Sequence, residues 1–209
     1  MTYGLEYLTI ILMKQCAITF DDGPNGEYTL SILDILARHS VKATFFFPGK
    51  NIKRLPDTAV KVRDSCHAIG NHTYSHPHLN SLTKEEIILE IEKSEDIFKS
   101  ILGIKPIYFR PPYGEYNIVS EDIIKNRGYK LIFWDMDCCS KDWQNPTPET
   151  ITDISTKNTK DGSIILLHDG RNIKADENRK NTVKALPQII TILRNKGFDI
   201  VSLDQLCKE

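Results

Sequence analysis

Two adjacent carboxylates follow the first strongly apolar segment of the sequence. Asp21 and Asp22 come directly after Ala17–Phe20. Side chains of adjacent residues on an extended backbone point in opposite directions, so one carboxylate could bind a metal while the other moves a proton. An Asp-Gly turn after a strand explains the same residues without any chemistry. The fragment alone leaves both interpretations open.

Two histidines form a second candidate. His72 and His76 are separated by three residues, a spacing that brings two imidazoles to one side of a helical turn, which Pro77 would end. With Asp22 they could bind one divalent ion and leave a position for water, as catalytic zinc sites do. Zinc is the first expectation, with cobalt or nickel as alternatives. Chance spacing of surface histidines is the competing explanation, and His78 is expected to play no part.

A stiff loop and a strand end supply the remaining candidates. Two prolines after Arg110 remove two backbone donors, so the Tyr113 amide is the next available N–H and could face an oxyanion. His168 follows the apolar segment Ser163–Leu167, where a histidine could act as general acid or base. A surface turn and a structural histidine are the respective alternatives.

The elements that must position these residues alternate along the chain. The predicted strands are Ala17–Phe20, Ala43–Phe47, Ala68–Gly70, Ile107–Phe109, Leu131–Trp134, Ser163–Leu167 and Ile200–Ser202. The predicted helices are Tyr28–His39, Pro56–Cys66, Thr83–Leu102, Asn117–Asn126, Pro148–Thr156 and Thr182–Asn195. This alternation predicts a parallel sheet, either doubly wound or closed as a barrel. Polar segments follow five of the strands, at the end where such folds place their working residues.

Charge and cysteine content exclude several classes of protein. The 209 residues carry 27 basic and 28 acidic side chains, for a formal net charge of −1. Nucleic acid is therefore not an expected partner, because binding a polyanion needs an uncompensated basic surface. The five cysteines form no C-x-x-C pair and are expected to be free thiols.

The amino-terminal segment gives little information. Residues 1–13 lack the basic start and small-residue cleavage site of a signal peptide. No apolar segment approaches the roughly 20 residues that cross a bilayer. We therefore expect one domain over residues 14–209 and, by default, a cytoplasmic protein, or an exported one if the true start of the chain lies elsewhere.

Four segments together are similar to the motifs of a known family. In order, they are Thr19–Pro24, His72–His76, Arg110–Gly114 and Leu166–His168. They resemble the polysaccharide deacetylases of carbohydrate esterase family 4, also called the NodB-homology domain, over residues 14–206. The resemblance implies an α/β fold, a distorted, incomplete (β/α) barrel of about seven strands. It also implies a metal-dependent hydrolase that removes acetyl groups from N-acetylated or O-acetylated carbohydrate.

The resemblance also implies individual roles. Asp21 would be the general base, held by Arg110, and His168 the general acid. The metal ligands would be Asp22, His72 and His76. The Tyr113 amide would face the oxyanion, and the acetyl pocket would be lined by Leu166 and Trp143.

The fourth family motif is irregular in this sequence. Family members usually carry Asp-x-x-Asp-Trp after strand five, whereas here four residues, Cys138–Lys141, separate Asp137 from Asp142 and Trp143. Because the Asp-Trp pair is intact, we expect Asp142 to orient His168. Asp137 is expected to bond backbone amides at a strand end.

Several alternatives stay open at this stage. The chain could be a catalytically silent sugar-binding or sporulation-type protein, although all the base, ligand and acid residues are present. It could also be a metal-independent amide hydrolase of the same superfamily acting on purine-degradation products. Chitin, peptidoglycan, xylan and small acetylated metabolites are all candidate substrates, and the sequence does not indicate an oligomeric state.

Overall fold

The computed structural model describes residues 14–172 and 178–207. Seven parallel strands lie in one sheet within these residues. They are β1 (Lys14–Asp21), β2 (Thr44–Phe47), β3 (Ala68–Asn71), β4 (Tyr108–Phe109), β5 (Lys130–Leu131), β6 (Ser163–His168) and β7 (Phe198–Val201).

Helices connect most of the strands. In chain order they are α1 (Gly26–Arg38), α2 (Gly49–Arg54), α3 (Pro56–Asp64), α4 (Lys84–Ile97), α5 (Ile118–Asn126), α6 (Pro148–Lys157), α7 (Lys180–Asn195) and α8 (Leu203–Leu206). None of the described helices is long and apolar enough to span a membrane. All five cysteines are free thiols, as expected.

The sheet forms an open barrel. The strand order is β5-β4-β3-β2-β1-β6. β7 pairs with the first half of β1, on the side away from β6, because Cys16 and Ala17 pair with both β6 and β7. Between the ends of the sheet, the Asp135 amide donates to the Ile164 carbonyl (3.0 Å), and the Ile164 amide donates to Asp135 Oδ2 (2.9 Å). In a closed barrel a full ladder of strand hydrogen bonds would join these two ends, whereas among the described residues only these two hydrogen bonds do so. The predicted incomplete (β/α) barrel is therefore confirmed.

Alternation along β2 separates the two faces of the sheet. Phe45 and Phe47 pack into the main core between sheet and helices, where Phe45 stacks on Phe20 with ring centroids 5.0 Å apart. Phe46 points to the other face and packs near Tyr108. Since adjacent strand residues face opposite sides, this one strand contributes to both the outer core and the barrel interior.

The sequence predicted most elements but misplaced some boundaries. The capping box that begins α4 is confirmed, since the Glu86 amide donates to Thr83 Oγ1 and the Thr83 amide donates to Glu86 Oε2. The fifth strand is not Leu131–Trp134 but the two residues of β5, because it is an edge strand whose partner β4 is equally short. The seventh strand begins and ends earlier than Ile200–Ser202. The short helices α2 and α8 were not predicted.

Candidate active site

A cavity of about 300 Å³ lies at the carboxyl ends of the strands. It is lined by Asp21, Asp22, His72, His76, Tyr113, Trp134, Trp143, Leu166, His168, Arg171 and Asn172. Eight of these residues were predicted from the sequence as site residues. Trp134, Arg171 and Asn172 were not. Arg171 and Asn172 follow β6 and could have been found by the strand-end rule, whereas Trp134 was placed inside the predicted fifth strand.

Asp22, His72 and His76 form a buried cluster at the base of this cavity. One potential ligand atom from each residue lies within 4.8 Å of the other two. Asp22 Oδ1 is 3.0 Å from His76 Nε2 and 3.5 Å from His72 Nε2. His72 Nδ1 lies 2.6 Å from the Arg110 carbonyl oxygen and therefore donates to it. In the neutral ring this bond leaves Nε2 as an electron-pair donor, the arrangement typical of a metal-binding histidine.

The electrostatics of Asp22 agree with a cation site. Burial raises the pKa of Asp22, but the imidazoles of His72 and His76 outweigh burial and hold that pKa well below its usual value. The carboxylate is therefore ionised near neutral pH and faces two ring nitrogens. The donor set of one carboxylate and two imidazoles is one that zinc and similar divalent ions accept.

The loop that carries the two histidines is not helical. Thr73 and His76 have φ values of +66° and +60°, in the left-handed region. Side chains hold this loop: the Thr73 amide donates to Asn71 Oδ1 (2.9 Å), and the His76 amide donates to Thr73 Oγ1 (3.0 Å). Glu90 accepts from the two amides in between. The predicted helical turn is wrong because side-chain acceptors from the loop itself and from Glu90 on α4 replace the helical carbonyls.

Asp21 is bound to the buried Arg110. Arg110 Nη1 donates to Asp21 Oδ1 at 2.7 Å, and both side chains are almost fully buried. Arg110 also donates to the Phe133 carbonyl, and its guanidinium lies 4.1 Å from the centre of the Phe46 ring. Burial lowers the pKa of Arg110, an effect that Asp21 opposes. The expected contact between Arg110 and Asp21 is therefore present.

The two adjacent aspartates do not point in opposite directions. Asp22 has φ = +73°, so the extended backbone ends at Asp21. As a result both carboxylates approach the same imidazole: His72 Nε2 lies 3.9 Å from Asp21 Oδ2 and 3.5 Å from Asp22 Oδ1. The expectation from strand alternation is wrong for that reason, while both side chains still line the cavity.

His168 is anchored by Asp142. His168 Nδ1 lies 2.7 Å from Asp142 Oδ1, and the His168 amide donates to Asp142 Oδ2 at 2.8 Å. Thr182 Oγ1 donates to the same Oδ2. Burial lowers the pKa of His168, but the charge and hydrogen bond of Asp142 outweigh it and raise this pKa to about 9. His168 is therefore an imidazolium at neutral pH.

Asp137 does not have its expected environment. It is exposed in a short 3₁₀ segment, Met136–Cys138. The aspartate that bonds a backbone amide at a strand end is instead Asp135, which accepts from Ile164. The expected backbone-bonding role of Asp137 is wrong because the chain leaves the sheet after β5, three residues earlier than predicted.

Tyr113 lies between two histidine rings. It has φ = +61°, and its ring contacts that of His76 edge-on, with centroids 4.7 Å apart. On its other side it stacks on His78 at 3.9 Å with an interplanar angle of 4°. His78 Nδ1 lies 2.9 Å from Glu115 Oε2. His78 therefore contacts a residue that lines the cavity, although it does not line the cavity itself.

Apolar side chains form another wall of the cavity. Leu166 is buried, and the Trp143 ring lies edge-on to His168 with centroids 5.2 Å apart. Trp134 packs against the Arg110-to-Gly114 loop so closely that a Cβ atom at Gly114 would lie 2.8 Å from its ring. Gly114 also has φ = +69°. The loop therefore needs glycine at this position both for its conformation and for the close approach of Trp134.

Comparison with known proteins agrees with this geometry. A family model described as polysaccharide deacetylase matches residues 13–132. A peptidoglycan-N-acetylglucosamine deacetylase of Bacillus cereus is 37% identical over 195 residues, covering 92% of this chain and 68% of the relative. The chain belongs to the polysaccharide deacetylase family. The family and fold that the motifs implied are therefore confirmed.

Other members of the polysaccharide deacetylase family are equally similar. A chitooligosaccharide deacetylase of Rhizobium leguminosarum bv. trifolii is 36% identical over 194 residues, covering 90% of this chain and 89% of the relative. A solved structure described as T48 deacetylase with substrate is 39% identical and superposes with a TM-score of 0.83, covering 93% of this chain and 90% of that chain.

In this polysaccharide deacetylase the cavity combines three chemical functions. A three-ligand cluster can bind a cation, the Asp21 carboxylate can accept a proton, and the His168 imidazolium can donate one. All three groups line the same cavity of about 300 Å³. This arrangement suits hydrolysis by an activated water with proton transfer on both sides of the reacting bond.

Proposed function

We propose that this chain is a metal-dependent deacetylase that hydrolyses N-acetyl groups on amino sugars of the peptidoglycan or chitooligosaccharide type. The observation that carries the proposal is the cluster of Asp22, His72 and His76 in one cavity with Asp21 and His168. The names of the two relatives support the substrate class.

The residues of the cluster fit a divalent ion. Asp22 Oδ1 is buried and, among the described residues, receives no well-oriented hydrogen bond. This ionised oxygen lies 3.0 Å from His76 Nε2 and 3.5 Å from His72 Nε2, and a cation bound by the three residues would neutralise its buried charge. When bound, a divalent ion supplies Lewis acidity, which polarises the acetyl carbonyl and makes water a stronger nucleophile at neutral pH.

The remaining residues divide the proton transfers between them. Asp21, fixed by Arg110, accepts a proton as the oxygen of water forms a bond to the acetyl carbon. The Tyr113 amide donates to the oxyanion that develops on the carbonyl oxygen. His168 then gives its proton to the amide nitrogen as the C–N bond breaks, which yields acetate and the free amine. Leu166 and Trp143 enclose the acetyl methyl group.

The experiment that tests this function compares substrates and metal states. Purified protein is incubated with N-acetylglucosamine oligomers, acetylated xylan and a purine-derived amide, before and after chelation and zinc addition. We expect zinc-dependent acetate release from the N-acetylglucosamine oligomers. Zinc-loaded protein that binds the oligomers without releasing acetate would instead indicate a silent sugar-binding protein. Hydrolysis of the purine-derived amide by metal-free protein would indicate the amide hydrolase.

A further inference from the structure

We infer that Asn51, on the short helix α2, is a positioning residue that holds the metal-binding residues in their ligating arrangement. The inference rests on the proposed metal-dependent function. It concerns a helix that carries none of the residues with a chemical role, and that the sequence did not predict. α2 packs between the two segments that supply the cluster of Asp22, His72 and His76.

The Asn51 side chain connects two loops of the site. Asn51 is fully buried. Its Nδ2 donates to the carbonyl oxygen of Asp22 at 2.7 Å and to the carbonyl oxygen of Asn172 at 2.6 Å. Both N–H groups of the carboxamide are thereby used. One side chain thus links the first metal-binding residue to a loop that lines the cavity.

The start of α2 holds the histidine loop. The amides of Gly49 and Lys50 donate to the carbonyl oxygens of Thr73 and Tyr74, each at 2.9 Å. These two carbonyls lie between His72 and His76 in the sequence. The helix therefore contacts both segments that supply the three potential ligands, through its backbone on one side and through Asn51 on the other.

Close packing fixes the helix itself. A Cβ atom at Gly49 would lie 3.1 Å from the Cα of Ser94 and 3.0 Å from the Tyr74 ring, so α2 rests directly on α4 and on the histidine loop. On its other side Ile52 is fully buried in the main core. The helix is thus a rigid support for the bonds that Asn51 makes.

The backbone held by these bonds is strained. Asp22 and Asn172 have φ values of +73° and +47°, a region that residues with a side chain rarely adopt. Such conformations persist only where surrounding contacts impose them. Without the two Asn51 bonds, the Asp22 segment has fewer contacts that favour the ligating conformation. The expected consequence is weaker metal binding, with the same reacting groups still present.

Cobalt binding to the full chain tests this inference. Metal-free protein is titrated with Co²⁺, and the visible absorption bands report both the dissociation constant and the ligand geometry. Asn51→Leu preserves the approximate size of the side chain but removes both donors, and Asn51→Ala provides a second variant if Asn51→Leu does not fold. We expect either variant to bind Co²⁺ at least about tenfold more weakly, the equivalent of one ordinary hydrogen bond, with altered absorption bands.

A matched control separates positioning from general destabilisation. Ile52→Val removes one methylene group from the buried side of the same helix, and urea unfolding measures the stability lost. We expect Ile52→Val to lose stability while its Co²⁺ affinity and spectrum stay those of the unchanged chain. Equal Co²⁺ affinity and spectra in the unchanged chain and a folded Asn51 variant would overturn the inference alone, as would equal weakening by Ile52→Val. Failure of the unchanged chain to bind Co²⁺ would contradict the proposed metal function itself.

Discussion

Asp142 holds His168 at two points, through the ring and through the backbone. Oδ1 lies 2.7 Å from His168 Nδ1, and Oδ2 accepts the His168 amide at 2.8 Å. Such a bidentate contact fixes the orientation of the imidazole, and the adjacent charge stabilises its protonated form. The irregular fourth motif still brings Asp142 to the end of β6, because the inserted residues are accommodated in a loop.

The first prediction concerns the alkaline limb of the pH–rate profile. Since Asp142 raises the pKa of His168 to about 9, the proton donor is present below that pH and is lost above it. In Asp142→Asn the charge is gone and burial lowers the pKa, so we expect the alkaline limb to move to lower pH and turnover to fall. Asp137→Asn is the control, and its limb should not move. An alkaline limb that moves in Asp137→Asn and not in Asp142→Asn would show that Asp137, and not Asp142, orients His168.

The second prediction separates the two adjacent carboxylates. Asp21→Asn should retain the metal and lose turnover by about 10² to 10⁴, the usual contribution of a general base. Asp22→Asn should lose metal affinity first, because it removes the charged ligand. Metal content by elemental analysis and kcat at saturating zinc distinguish the two effects. Equal loss of metal from both variants would show that the roles are not divided in this way.

The third prediction concerns the ring that stacks on Tyr113. His78→Ala removes the face-to-face contact, and His78→Phe keeps a flat ring in its place. An aromatic pair contributes about 0.5–1.5 kcal/mol, so we expect kcat to fall by about threefold to tenfold in His78→Ala and to recover in His78→Phe, with metal content unchanged in both. If kcat stayed low in His78→Phe, the imidazole itself would be required and the stacking explanation would be wrong.

The fourth prediction concerns stability and is independent of the site. Burial lowers the pKa of His67 from 6.5 to about 4, and its Nδ1 accepts the Ala43 amide. Between these two pH values the unfolded chain binds a proton that the folded chain does not. The free energy of unfolding should therefore fall by up to about 3 kcal/mol as the pH drops from 6.5 to 4.

Urea unfolding at several pH values, compared with His67→Asn, measures this effect. Asparagine keeps an acceptor for the Ala43 amide and does not titrate. The difference in unfolding free energy between the two proteins should change across this window and be constant above it. A constant difference at every pH would show that His67 is protonated equally in both states.

The sequence predicts the site because strand ends and motifs are local features. Buried segments such as Ser163–Leu167 predict their strand from composition, and parallel topology then places His168 beside Asp21. The resemblance of the motifs to those of the family adds the expected chemical role of each side chain. These two sources of information are enough to bring Asp21, His168 and the cluster of Asp22, His72 and His76 into one cavity.

The remaining features depend on contacts between distant residues. The left-handed conformations of Asp22 and His76 are imposed by the surrounding loops. Aspartate and histidine adopt this region more often than most residues, but not often enough for their presence to predict it. Helix α2 has six residues, too few for a helical pattern. The stacking of His78 on Tyr113 joins two loops that are 35 positions apart in the sequence.

Titration of chelator-treated protein with zinc tests the metal-dependent reaction most directly. The rate of acetate release from N-acetylglucosamine oligomers is measured as zinc is added, together with the amount of zinc bound. We expect the rate to rise linearly and to reach its maximum at one equivalent. His76→Ala should remain folded, retain no zinc and stay inactive throughout. Full activity in the metal-free protein, or unchanged zinc content in His76→Ala, would contradict the assignment of Asp22, His72 and His76 as the catalytic metal site.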